Sequence, residues 1–156
     1  MNREILFKAK RIDNGEWVEG YYVKTRLGTD IKPSDVIFVP FKINRNEEWG
    51  WIKIDPETLC QYTGLTDKNG KKIWENDIVK CLKRTEGYEL YQVVWRNEFA
   101  DFGVEPIKPK YGAKYPIGLS DGVTLCGHDY RAFGNIFDNP ELLEVERWVM
   151  QFITKL

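Results

Sequence analysis

"QYTGLTDKNGKKIWENDIVK", residues 61–80, holds two turn signals, three carboxylates and a tryptophan. Asn69-Gly70 is a hairpin signal, because this pair readily takes the positive φ that a tight type I′ turn requires. Asn76-Asp77 marks a second bend, since Asn tolerates a left-handed backbone. Leu65, Ile73, Trp74, Ile78 and Val79 are placed to reach a core around these turns. Asp67, Glu75 and Asp77 could instead approach one another, as acids do in magnesium-dependent nucleases or glycosidases. No Lys or His motif supports that chemistry, and Asp and Asn form turns because their side chains bond nearby backbone N–H groups. The stretch is read as a folding element, a hairpin followed by a bend that launches the next strand.

Strands extend in both directions from it. "REILFKAKRI" alternates apolar and polar residues from Ile5 to Ala9, the period of a half-buried strand. Asn14-Gly15 gives another hairpin-type turn, and residues 16–25 read as a long strand. Residues 27–35 form a loop. "VIFVPFKI" (36–43) is strongly β, but Pro40 cannot donate a ladder hydrogen bond, so an edge or a bulge is expected there. Residues 49–54 and 58–63 are two further strands, and "DIVKCLK", "ELYQVVWRN" and "FADFGV" three more. Residues 105–122 form a long irregular segment with three prolines and three glycines, and 123–137 carry one or two final strands. A faint echo links "VEGYYV" (18–23) to "WENDIV" (74–79), as two similar β units would produce.

The end of the chain is different. In "NPELLEVERWVMQFITKL" Asn139 can cap a helix with Pro140 in its first position. Leu142, Val145, Val149, Phe152 and Leu156 recur at steps of three and four, and Trp148 and Ile153 widen the stripe. This is an amphipathic helix that either docks on its own sheet or pairs with another subunit.

Composition sets the class. The 156 residues are 42% hydrophobic and 30% charged, as in a soluble globular protein of one domain or two small subdomains. Aromatic residues at 14% favour pleated surfaces. A net charge of −1 lacks the global basic excess of a strong nonspecific nucleic-acid binder, though a local patch is compatible with it. No apolar run is long enough to cross a membrane, and the charged first residues lack a signal-peptide core. Three cysteines are too few and odd in number for a disulfide framework, so a reducing cytoplasm is the expected compartment.

Chemistry finds little support. Cys126 and His128 with Cys60 and Cys81 could make a Cys₃His zinc site, but no paired Cys knuckle exists, and strand cysteines serve as small hydrophobes. His128 is the only histidine, and a nucleophile–base pair built on it would still need an orienting group and an oxyanion hole. No phosphate-cradling glycine motif occurs. The 105–122 segment interleaves Lys108, Lys110 and Lys114 with Tyr111 and Tyr115. Such a pattern can track a nucleic-acid backbone and stack a base, or simply form an exposed arm or a subunit contact.

Three blocks carry a resemblance: "REILFKAKRIDNGEWVEG", "QYTGLTDKNGKKIWENDIVK" and "FGNIFDNPELLE". In this order they resemble the YopX family of phage and prophage proteins. Asn76 stands where the family commonly has Gly, the N-terminal block lacks the family's Trp, and the chain runs on past the usual "NPEL" ending. The resemblance implies a mostly β protein whose C-terminal part is similar to a small SH3-like barrel. It also implies a phage or prophage origin, oligomers in some members, and no catalytic residue set to carry over.

The expected architecture is all-β: an N-terminal β subdomain over 1–57, an SH3-like barrel over 58–138 and an amphipathic C-terminal helix over 139–156. The expected function is that of a non-enzymatic accessory protein in the host bacterial cytoplasm. It would bind a host or phage protein as a homo-oligomer, with no cofactor, metal or membrane. A nucleic-acid-binding small barrel using the 105–122 loop is the alternative, and a metal-dependent hydrolase ranks last.

Overall fold

The computed structural model describes residues 4–40, 50–83, 87–107, 117–118 and 130–143. The chain divides into two compact units, Met1–Gly64 and Leu65–Leu156. Both are built from antiparallel sheets, so the protein is all-β, as expected.

In the first unit, β1 (Phe7–Lys10), β2 (Trp17–Thr25), β3 (Ser34–Val39), β4 (Gly50–Lys53) and β5 (Cys60–Thr66) run in the spatial order β4-β3-β2-β1-β5. The unit boundary falls within β5. Alternation along the strands turns one face inward: Ala9, Ile37 and Ile54 are buried, with Phe7, Val18, Tyr22, Val39 and Leu59 packed against them. The first loop is wider than a two-residue turn. Arg11 N–H donates to Glu16 O at 2.9 Å and Gly15 N–H to Arg11 O at 3.0 Å. Only Gly15 has a positive φ (+75°), whereas a type I′ turn needs it at both central residues. Asn14 instead accepts from the Glu16 N–H with its side chain, at 2.9 Å. β3 lies between β2 and β4 and stops just before Pro40, so the proline ends an interior strand rather than marking an edge.

A short 3₁₀ turn, Pro56–Thr58, ties β1 to β5. The Asp55 carboxylate accepts from the Glu57 N–H at its start. Thr58 Oγ1 donates to Asp55 O and accepts from the Lys10 N–H, each at 2.8 Å, and Asp55 N–H donates to Lys10 O. Thr58 is thus a buried polar residue whose hydroxyl is satisfied in both directions.

In the second unit, β6 (Lys72–Trp74) precedes β7 (Asp77–Lys83), β8 (Gly87–Arg96), β9 (Asp101–Pro106), β10 (Ile117–Gly118) and β11 (Tyr130–Asn135). β7, β8 and β9 form a meander, β10 adds to β9, and β11 returns beside β7, giving the order β10-β9-β8-β7-β11. Ile73, Val79, Cys81, Tyr91, Val93, Phe102 and Val104 make its core. Within the region expected as a barrel, β7 to β11 form that five-stranded sheet, while β6 is the edge strand beside β5 in the six-stranded sheet β4-β3-β2-β1-β5-β6.

Three expectations need correction. Residues 105–122 are not irregular throughout: β9 continues to Pro106, and β10 pairs Ile117 with Val104 and Gly118 with Gly103. The chain after Asn139 begins as a 3₁₀ turn, Pro140–Leu142, in which the Asn139 side chain makes no cap bond, because it is engaged elsewhere (below). The remainder of the expected helix, 144–156, lies outside the described residues. The echo is not structural, since Gly20 sits inside β2 whereas Asn76 forms a left-handed bend with φ +64°. One expectation about the cysteines also changes. Cys60 is a free buried thiol, whereas Cys81 is disulfide-bonded.

Candidate functional site

The stretch 61–80 contains the strongest concentration of buried polar groups, and their partners define what it does. Asp67 is only 7% exposed. Its Oδ1 accepts from the N–H groups of Asn69 (2.8 Å) and Lys71 (2.9 Å), while Gly70 N–H donates to Asp67 O (2.9 Å) and Asp67 N–H to Lys71 O (2.8 Å). Gly70 alone in the loop is left-handed, with φ +81°. This is a three-residue hairpin loop, a tight turn followed by a left-handed glycine, rather than a two-residue type I′ turn. The Asp67 side chain acts as the turn former, holding two backbone N–H groups that point inward.

The other oxygen of Asp67 reaches further. Oδ2 accepts from the Ala132 N–H on β11 at 3.2 Å. The hairpin is thereby pinned to a strand 65 residues away in sequence. Burial pushes the Asp67 carboxyl up, but the N–H groups of Lys71, Asn69 and Ala132 and the Lys71 charge outweigh it. The group is held below the usual carboxylate range.

The second bend repeats the device three residues along β11. Asp77 is 3% exposed; its Oδ2 accepts from the Trp74 N–H at 3.0 Å and its Oδ1 from Asn135 Nδ2 at 3.0 Å. Asn76 N–H donates to Val93 O (2.8 Å), Asn76 O accepts from Ile136 N–H (3.1 Å), and its side-chain oxygen accepts from Gln92 Nε2 (3.2 Å). Asn135 Oδ1 in turn accepts from Phe137 N–H at 3.0 Å. Asn139 turns its side chain back to accept from Asn135 N–H at 3.3 Å and to donate to Glu141 at 3.3 Å. A Cβ on Gly134 would collide with that Asn139 oxygen.

These contacts join "TDKNGKKIWEND" to "FGNIFDNPEL", so two of the blocks distinctive in sequence meet in space. Asp67 and Asp77 serve backbone and amide donors at separate positions along β11, a lock rather than an acid–base pair. Among the described residues no group of three or more His, Cys, Asp or Glu side chains is placed to hold a metal ion. Lys108, Lys110, Tyr111, Lys114 and Tyr115 lie outside the described residues, as do Cys126, His128 and the stripe Val145, Trp148, Val149, Phe152, Ile153 and Leu156. No helix among the described residues is long and apolar enough to cross a membrane.

With this lock in view, the comparison with known families is decisive. The sequence model of the YopX protein family matches residues 6–144. The chain belongs to the YopX family. The match spans both halves of the YopX lock, 67–77 and 132–139, and ends where the C-terminal stripe begins. No curated protein matches this YopX chain. Among solved structures, the crystal structure of protein EF1440 from Enterococcus faecalis is similar in fold, with a TM-score of 0.52 at 22% identity. That similarity covers 91% of the chain and 99% of EF1440.

One feature of the YopX chain was missed by reading its strands singly. Register makes Tyr21 the cross-strand partner of Phe38, and Phe38 the partner of Trp51. Three aromatic side chains therefore stand in one row on the face of the first sheet opposite its core. The signal was present in the sequence, but only strand pairing aligns it.

Proposed function

We propose that this protein is a non-enzymatic phage or prophage accessory protein that works by binding, as a homo-oligomer inside the host bacterial cell. The observation that carries this reading is the engagement of Asp67 and Asp77. These buried carboxylates of the signature stretch hold backbone N–H groups and Asn135 in place, and their chemistry is accounted for by folding. The partner class is a host or phage protein, and the stripe Val145, Trp148, Val149, Phe152, Ile153 and Leu156 is the subunit contact.

Light scattering on the full chain and on a chain ended after Glu144 tests the assembly. The truncated protein should remain folded and show a lower mass. An unchanged mass in a well-folded product rejects the stripe as the contact. Turnover that is abolished by one polar substitution, with the fold intact, would overturn the non-enzymatic reading.

A further inference from the structure

The face of the first sheet turned away from its core carries an unusual row. A sheet face directed to solvent ordinarily presents polar side chains. Here Tyr21, Phe38 and Trp51 align across three adjacent strands. Tyr21 is 43% exposed and Trp51 50%, with Phe38 half-buried between them. The Phe38 and Trp51 rings lie 4.7 Å apart at a tilt of 40°. Such a row has large apolar area and rigid strand backbones beneath it.

Cations border it. Lys8 pairs in register with Glu19 and Lys10 with Trp17, while Lys53 pairs with Val36, so all three lysines lie on the same face as the row. The strand residues of that face thus carry three lysines against one glutamate, Glu19. Strand spacing and rise put the Lys8 and Lys53 positions about 7–8 Å from the nearest aromatic of the row. The Lys8 and Lys10 ammonium groups sit 4.9 and 5.5 Å from the Trp17 ring centre. Lys53 pairs with Asp30 at 2.9 Å, with both side chains more than a third exposed. Such a pair is solvent-screened and weak enough to give way to a phosphate.

We propose that the Tyr21–Phe38–Trp51 row, flanked by Lys8 and Lys53 with Lys10 further along the same face, is a stacking platform for single-stranded nucleic acid. The proposal rests on the reading that the protein works by binding and adds a nucleic-acid partner to the protein partner named there. Aromatic rings accept any unpaired base because every base has a π face, and lysines beside them follow the backbone. Duplexes hide their bases and offer only phosphates. With a chain of net charge −1, the stacking row and a local patch must supply the affinity, so binding is tolerant of sequence and sensitive to salt.

The test is fluorescence anisotropy of a labelled thymidine oligonucleotide with the full-length protein at low salt. Binding should weaken as salt rises, exceed that of a duplex of the same length, and fall about tenfold in Trp51→Ala. Tyr21→Ser, at an exposed site, should also weaken it and guards against a folding defect at Trp51. Phe99→Ala, in the second unit, should bind as the parent does. No anisotropy change with the oligonucleotide overturns the proposal, as does binding indifferent to both row variants. Loss of binding on changing Lys108, Lys110 and Lys114 to Ala, with the row variants unaffected, assigns it to the other segment and also overturns it. If Trp51→Ala lowers the mass in light scattering instead, a second copy covers the row and the platform is refuted. None of these results alters the turnover measurement, so failure here is separable from failure of the non-enzymatic reading.

Discussion

Replacing Asp67 with Asn removes one charge and changes almost no volume. In the parent, Oδ1 holds the N–H groups of Asn69 and Lys71 and Oδ2 holds that of Ala132. An amide can keep its oxygen toward the loop, and its NH₂ then faces the Ala132 N–H, donor against donor. The reverse orientation abandons both loop N–H groups. The better choice still loses a charge-assisted hydrogen bond and leaves a backbone donor without its acceptor, which together cost about 2–4 kcal/mol. The effect depends on pH in a defined sense. The folded carboxyl is depressed, against an unfolded Asp value of about 3.9. Its contribution is therefore fully present above the unfolded value and is lost as pH falls through the lower, folded one. Urea denaturation of parent and Asp67→Asn should show a gap of that size at pH 7. The gap should narrow as the acid range is entered, because a protonated Asp67 resembles Asn. A difference within about 0.5 kcal/mol at pH 7, or a gap unchanged through the acid range, would refute the reasoning.

Further outcomes follow from the same geometry. Gly70→Val should destabilise by about 2 kcal/mol through left-handed strain alone, since no heavy atom lies within 4 Å of the added Cβ; Gly70→Ala should cost less, by denaturant titration. Asn76→Gly should be close to neutral, because relief of the +64° φ offsets loss of the Gln92 bond, whereas Asn76→Ala should lose about 1–3 kcal/mol. Gly134→Ala should lower the thermal midpoint by displacing the Asn139 side chain from Asn135.

Much of this was legible in the residues. The long strand 16–25, the β7 and β8 strands and the role of Asn76 as a left-handed bend all follow from alternation and turn chemistry. The carboxylates of 61–80 were rightly weighed as turn formers, but the sequence did not say which N–H groups they hold. Asp67 bonds Ala132 across 65 residues, and no local pattern encodes that distance. The turn types were misjudged for a related reason. An Asn-Gly pair suits a two-residue loop, yet the Asp67 side chain draws in the N–H groups of Asn69 and Lys71 and widens the loop to three residues. β10 escaped notice because two residues have no period; its ladder on Val104 and Gly103 makes it a strand. The aromatic row was hidden because its members lie in three strands, and only the register of β2, β3 and β4 sets them side by side.

The central claim is that the signature stretch is a lock between the 67–77 turns and β11. Native-state hydrogen exchange tests it at the atom concerned. In the parent the Ala132 and Lys71 amides should be protected, and Asp67→Asn should reduce their protection by more than the global loss of stability. Ala132 protection that falls only in step with the rest of β7 and β8 would contradict the lock.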